Sequence, residues 1–351
     1  MKTFATDFIR NIALIGHSGE GKTSLAEALL FATKTVDRLG KVDDGNSTMD
    51  FDDEEIKRKI SISMGLAYAI HRDHKINVLD VPGFFDFEGE MVAALHAADS
   101  AVVVTSASGS LTVGTEKALE MCFEKEVPAL IFVNAVNKEN SDFFGTDDAI
   151  TAKFNKVIPI ELPIIEGGKM VGSVDVFTGA GKDLNGKAKD VPADLASKAS
   201  AYRDQLMEMV AETDLMMKFF DGEEFTQDEI QKGIHTAIAT DSFIPLMAGN
   251  ATTSTGVASL LDIIVDYLPS PAAARRPHAT VNGADTQVAC DASAPFSAQV
   301  FKSIVDPYVG KLLIFKVMSG KLTSGDAMYN NTAEKPEKAG ALYVLKGKKQ
   351  E

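Results

Sequence analysis

A short glycine-rich segment near the N-terminus constrains the fold of this chain more than any other feature. Residues 16–23 read Gly-His-Ser-Gly-Glu-Gly-Lys-Thr and match the pattern G-x-x-x-x-G-K-[ST]. An apolar run at residues 11–15 precedes the segment, and an Ala- and Leu-rich stretch of helical character follows at 23–33. A strand, a glycine loop and a helix in this order are typical of a phosphate-binding loop, because the glycines let backbone N–H groups surround the phosphates.

Each residue of this loop has an expected role in holding a nucleotide. Lys22 is expected to reach the β- and γ-phosphates, and the Thr23 hydroxyl is expected to ligate Mg²⁺. The Glu20 backbone would bind phosphate while its side chain points to solvent. The nucleotide-binding residues predicted here are Gly16, His17, Ser18, Gly19, Glu20, Gly21, Lys22, Thr23 and Ser24.

A second motif follows one predicted strand later. Asp80-Val81-Pro82-Gly83 directly follows the strand-like run at 75–79. An aspartate at a strand end can hold the metal through water, and the Gly83 N–H can meet the γ-phosphate. We therefore predict Lys22, Asp80 and Gly83 as the catalytic residues.

The order of segments predicts an α/β P-loop NTPase domain with a mostly parallel sheet and helices on both faces. Short β-branched runs at residues 101–105 and 129–134 alternate with helical stretches, as crossover connections require. Residues 158–240, with a long helical stretch at 193–220, are predicted to form an inserted α+β subdomain. The P-loop domain would then comprise residues 1–157 and 241–272.

A proline-rich break separates this domain from a segment rich in predicted strands. Pro269 and Pro271 end the last helical stretch, and strands are predicted at 296–304, 310–319, 327–330 and 340–345. A closed barrel usually needs more strands than fit here. Residues 277–351 are therefore predicted to be an incomplete all-β barrel, and the chain is expected to be a fragment of a longer protein.

The composition of the chain limits the kinds of partner that it can be expected to bind. The net charge of −15 argues against a general polyanion-binding surface, and no apolar run approaches the ~18–20 residues of a membrane helix. The start of the chain lacks a signal-peptide core. We expect a cytoplasmic protein without membrane or DNA partners.

With these motifs placed, the chain resembles translational GTPases, most closely bacterial elongation factor G and its elongation-factor-G-like paralogues. The resemblance runs from about residue 9 to the end of the chain and is most specific at residues 16–27, 57–62, 77–90, 114–116, 127–143, 260–271, 298–310 and 319–329. It implies GTP or GDP with Mg²⁺ as ligands. It also implies a monomeric factor whose partner is the ribosome, through ribosomal RNA and proteins.

The resemblance implies further site residues. Ser61 stands where the family has the switch I threonine that ligates Mg²⁺. Gly249, Asn250 and Ala251 stand at the loop that contacts the base oxygen. The acids at residues 52–55 are expected to be a solvated part of switch I.

Two departures from the family pattern affect chemistry. Phe84 stands where the family usually has a histidine that orients the attacking water, which predicts slower hydrolysis. The base-reading motif N-K-x-D aligns with residues 134–137, so Asn134 is kept but Ala135 and Asn137 replace Lys and Asp. We predict a guanine preference weaker by roughly 10- to 10⁴-fold. An alternative alignment, Asn-Lys-Glu-Asn at residues 137–140, restores the lysine but still lacks the aspartate.

The predicted function is that of a translational GTPase of the elongation factor G type, in which hydrolysis of GTP·Mg²⁺ is coupled to switch I and switch II movement on the ribosome. The alternative is a repurposed paralogue, a non-hydrolysing or base-relaxed module that binds the ribosome in a nucleotide-dependent way. Translocation, recycling and ribosome protection remain equally open.

Overall fold

The computed structural model describes residues 3–211, 225–281, 283–306 and 310–351 of the chain. Two compact units divide the chain, Met1–Ala274 and Arg275–Glu351. Within the described ranges, no helix is long and apolar enough to cross a bilayer.

The first unit is built on one sheet of seven strands, in the order β2-β3-β1-β4-β5-β10-β6. Only β2 runs antiparallel to its neighbour, and the other pairs are parallel. The predicted mostly parallel sheet is therefore confirmed, with β2 as an unpredicted antiparallel edge. The strands are β1 Ile9–Ile15, β2 Gly65–His71, β3 His74–Asp80, β4 Ser100–Ser106, β5 Ala129–Asn134, β6 Val157–Pro159 and β10 Ile244–Ala248.

Eight α-helices accompany the strands in the described residues. Every residue of β5 and β10 is buried, which fits continuous apolar runs in strands covered on both faces. The helices are α1 Lys22–Ala32, α2 Asp53–Arg58, α3 Glu88–Ala97, α4 Val113–Lys125, α5 Phe143–Thr151, α6 Ala193–Val210, α7 Gln227–Ala239 and α8 Val257–Tyr267.

The segment between β6 and β10 combines a small sheet with two helices. Strands β7 Glu161–Glu166, β8 Lys169–Asp175 and β9 Gly181–Asp183 form an antiparallel sheet, followed by α6 and α7. The predicted start of the insert at residue 158 falls inside β6, which pairs with β10 in the main sheet. The predicted helix at 193–220 begins at Ala193 as expected, but residues 212–220 lie outside the described residues.

The second unit is all-β, as predicted. Its described strands form four antiparallel pairs: β11 His278–Val281 with β12 Ala284–Gln287, β13 Ser297–Asp306 with β14 Gly310–Ser319, β15 Ala327–Asn330 with β16 Lys335–Lys338, and β17 Leu345–Lys346 with β18 Lys349–Gln350. The strand predicted at 340–345 is wrong except for Leu345. The partner of β15 is β16, a charged segment containing Pro336 that the apolar pattern could not indicate.

Candidate nucleotide and metal site

The loop between β1 and α1 has the backbone that its glycines permit. Gly16, Gly19 and Gly21 have φ of 137°, 81° and 90°. A Cβ on Gly16 would lie 2.3 Å from the Val104 carbonyl oxygen, so a larger residue cannot stand there. Gly21 precedes the first residue of α1, so the loop presents the free N–H groups of a helix N-terminus.

Lys22 occupies the centre of the loop. Its Nζ donates to the carbonyl oxygens of Gly16 at 3.1 Å and His17 at 2.7 Å. Burial lowers the pKa of Lys22 to about 8, against the opposing effect of the Asp80 and Glu20 carboxylates. Glu20 is only 7% exposed, so the expectation that its side chain points to solvent is wrong. An ammonium held by two neutral carbonyls can exchange them for phosphate oxygens.

The Asp80–Gly83 motif lies directly against this loop. An ideal Cβ on Gly83 would stand 2.3 Å from Lys22 Nζ and 2.7 Å from the Ser18 nitrogen. Asp80, the last residue of β3, is buried. The two predicted motifs therefore meet at one place, and only glycine allows the approach at position 83.

Hydroxyl and carboxylate groups come together beside the loop. The Thr23 and Ser61 hydroxyl oxygens are 3.1 Å apart, and the Asp50 carboxylate is hydrogen bonded to Ser61. Neither oxygen of Asp80 has a partner of good geometry among the described residues, nor has Asp50 Oδ2, although Thr23 lies near enough to lower the pKa of Asp80. Burial raises the pKa of both acids, that of Asp50 to about 6.

These residues fit Mg²⁺, which prefers hard oxygen ligands. The described residues contain no group of three or more His, Cys, Asp or Glu that could hold a metal by itself. The predicted Thr23, Ser61 and Asp80 are brought together. Asp50 was missed, although its position between the apolar Met49 and Phe51 was a signal of burial.

Asn134 connects the phosphate loop to the predicted base-contacting loop. Its Nδ2 donates to the Glu20 carbonyl at 2.8 Å, and its Oδ1 accepts from the Ala251 N–H at 2.9 Å. Asn250 instead accepts from the backbone and hydroxyl of Thr252, at 3.1 and 2.7 Å, so its side chain stabilises its own turn. This arrangement favours the alignment that begins at Asn134.

Asn137 is engaged by neighbouring backbone and hydroxyl groups. Its Oδ1 accepts from the Met170 N–H of β8 at 2.8 Å, and its Nδ2 donates to Thr253 Oγ1 at 3.4 Å. Ala135 has a φ of +64° and is buried, so no side chain there extends over a base. The acceptor that would read guanine is already bonded to the insert.

Phe84 provides no polar atom at the position expected to orient water. It is 40% exposed and is followed by the similarly exposed Phe85. The Lys117 Nζ lies 5.2 Å from the Phe85 ring centroid and also pairs with Glu88 at 2.6 Å. The absence of a water-orienting imidazole at residue 84 therefore stays a prediction from the sequence.

Comparison with known proteins identifies this architecture. The family model described as Elongation factor Tu GTP binding domain matches residues 7–270. The chain belongs to this family. A second model, Elongation factor G domain 2, matches residues 295–351, so this is a translational GTPase of the elongation factor G type.

A solved structure has a similar fold. A protein from Thermus thermophilus is 32% identical, with a TM-score of 0.85 over 98% of this chain and 50% of that one. The translational GTPase described here therefore spans about half the length of that relative.

Proposed function

We propose that this translational GTPase binds GTP with Mg²⁺ and hydrolyses it, as the nucleotide-binding part of a monomeric cytoplasmic factor that acts on the ribosome. The observation that carries the proposal is the meeting of Lys22, Gly83 and the Thr23–Ser61 hydroxyl pair around one phosphate loop. Family membership supports GTP binding, and the contacts support the role of each residue.

The residues divide the work between binding and switching. Lys22 and the loop N–H groups would neutralise the β- and γ-phosphates. Thr23, Ser61 and, through water, Asp80 would hold Mg²⁺, which would supply charge neutralisation as the γ-phosphoryl group transfers. Because Ser61 and Gly83 lie on different segments, both of which would contact the triphosphate end, loss of the γ-phosphate would release both segments.

In the hydrolytic step, water adds to the γ-phosphorus and the bond to the bridging β–γ oxygen breaks. The products are GDP and inorganic phosphate, with the water proton released to solvent. Phe84 can exclude bulk water but cannot accept a hydrogen bond from the attacking molecule. Orienting contributions of this kind are worth ~10²–10⁴-fold, so intrinsic turnover is expected to be slow.

Calorimetric titration with GDP and a nonhydrolysable GTP analogue, with Mg²⁺, tests the proposal. Lys22→Ala should abolish tight triphosphate binding, whereas Lys348→Ala, an exposed lysine in the second unit, should leave it unchanged. If the Lys22→Ala variant and the parent chain bind the triphosphate with equal affinity, the phosphate loop does not bind the nucleotide as proposed. Phosphate release with ribosomes and the longer protein would test turnover.

A second candidate is a base-relaxed or non-hydrolysing nucleotide-dependent module. The hydrogen bond from the Met170 N–H to Asn137 Oδ1 favours it, because that oxygen is no longer fully available to guanine. The triphosphates of xanthosine and adenosine should then bind with dissociation constants within about tenfold of that of GTP. Asn137→Asp combined with Ala135→Lys should raise guanine selectivity. If selectivity stays flat in the double variant, residues 134–137 are not the base-reading loop.

A further inference from the structure

Two buried carboxylates contact the chain segment that precedes β2. We define the switch I segment as residues 47–63. Glu27 on α1 and Glu55 on α2 are 1% and 3% exposed. The expectation that all acids at 52–55 are solvated is therefore wrong for Glu55.

Glu27 holds the part of the switch I segment just before Asp50. Its carboxylate accepts from the backbone N–H of Thr48 and, at 3.2 Å, from that of Met49. It also accepts from the Ser47 hydroxyl at 2.9 Å and the Thr48 hydroxyl at 3.2 Å. The backbone leading into Asp50 is thereby fixed to the helix that begins at Lys22.

Glu55 holds the part that follows Ser61. Its Oε1 accepts from the backbone N–H groups of Ile62 at 3.0 Å and Ser63 at 3.1 Å. Its Oε2 accepts from the Asp52 N–H at 3.2 Å, completing a capping box that starts α2. One side chain therefore fixes both the start of the helix and the turn that presents Ser61.

Both sets of bonds are made entirely within the chain. Buried hydrogen-bond partners are costly to separate. In many GTPases the γ-phosphate and Mg²⁺ order this kind of segment. Here two buried acids of the chain also hold it, through hydrogen bonds that involve neither ligand.

We propose that Glu27 and Glu55 are positioning residues that hold Asp50 and Ser61 beside Thr23. The inference rests on the proposed function for the part that concerns Mg²⁺. Its physical basis is that the two acids fix the backbone on either side of the candidate metal ligands without contacting the metal.

The test compares Glu55→Ala, Glu55→Gln and Glu54→Ala. Glu54 is the adjacent acid, half exposed and paired with Lys57 and Arg58 of its own helix, and so controls for loss of a charge. The readout is the gain in affinity for a nonhydrolysable GTP analogue when Mg²⁺ replaces EDTA. Glu55→Ala should lose about tenfold or more of this gain. Glu55→Gln should retain most of it, because one amide oxygen can accept from both Ile62 and Ser63.

A second readout uses the nucleotide-free chain. Lys57, Arg58 and Lys59 are exposed trypsin sites within the switch I segment. Cleavage there, mapped by mass spectrometry, should accelerate at least about tenfold in Glu55→Ala and in Glu27→Ala, while Glu55→Gln and Glu54→Ala follow the parent chain. If the parent chain binds no nucleotide, the proposed function fails, but cleavage still decides whether the acids position the segment.

Three results would overturn the inference. Unchanged Mg²⁺ dependence and unchanged cleavage in Glu55→Ala would overturn the inference. A Glu55→Gln variant that behaves like Glu55→Ala would also overturn it, because charge rather than hydrogen bonding would then be responsible. If Glu55→Ala shows no cooperative thermal unfolding, Glu27→Ala supplies the comparison, and parent-like cleavage of that variant would overturn the inference.

Discussion

The hydroxyl oxygens of Thr23 and Ser61 lie 3.1 Å apart, although Thr23 is in the first turn of α1 and Ser61, 38 positions later, is in the loop between α2 and β2. Two hydroxyls this close share one hydrogen bond and leave lone pairs for a cation. The contact joins the phosphate loop to the switch I segment, so a metal bound to both hydroxyls would link the two segments.

Removing the Ser61 hydroxyl should weaken the metal-dependent part of nucleotide binding. Ser61→Ala is expected to reduce the affinity for a nonhydrolysable GTP analogue about tenfold in Mg²⁺ and little in EDTA. Ser61→Thr keeps the hydroxyl and should bind like the parent chain, and Ser63→Ala is the matched control. Equal Mg²⁺ dependence in all variants would exclude Ser61 as a ligand.

Adding one methyl group at Gly83 should prevent residue 83 from lying directly against the phosphate loop. The new Cβ would meet Lys22 Nζ and the Ser18 nitrogen, the second of which belongs to fixed backbone. We expect Gly83→Ala to lose at least about tenfold affinity for the triphosphate relative to GDP. Gly89→Ala has open space and lies in the first turn of α3. It should keep the affinity and gain up to about 1 kcal/mol of stability.

Restoring an imidazole at residue 84 should accelerate hydrolysis. Phe84 is exposed enough for a histidine to be accommodated without repacking the core. We expect Phe84→His to raise GTP-dependent phosphate release by about 10²-fold, with Phe84→Leu remaining slow. Measured rates that are equal for His and Leu would show that another group orients the water.

The pH dependence of stability should include a contribution from Asp241. Burial raises its pKa from 3.8 to about 6, with Lys156 opposing the change. The folded state therefore holds the proton more tightly, and folding loses stability as pH rises from about 4 to 6. Asp241→Asn should be more stable than the parent by about 1 kcal/mol at pH 8, a figure reduced because the carboxylate is partly exposed.

Urea unfolding at several pH values checks this expectation. The difference between Asp241→Asn and the parent should shrink towards zero near pH 3, where both states of the parent are largely protonated at an ordinary pKa of 3.8 and a folded pKa of about 6. A difference independent of pH would mean that Asn acts through packing.

Local motifs predicted the phosphate loop and the strand that ends at Asp80, because strand, glycine and helix signals agree within a few residues. The antiparallel β2 was missed because its Gly-Leu-Ala-Tyr-Ala-Ile-His sequence has little alternation. Contacts that join distant segments also could not be predicted from local sequence. The burial of Glu55 depends on the turn at Ile62, and the bond of Asn137 depends on Met170, 33 residues later.

The position of β10 between β5 and β6 has a consequence for synthesis of the chain. Residues 160–243 must be translated before β10 exists, which takes on the order of ten seconds at bacterial rates. During that interval the nascent sheet has an open edge at β5, and Asn134 lacks Ala251. The phosphate loop is therefore synthesised early, but the hydrogen bond from Ala251 to Asn134, which helps to fix it, can form only later. A nascent chain stalled before residue 251 would carry the complete glycine motif and still hold nucleotide poorly.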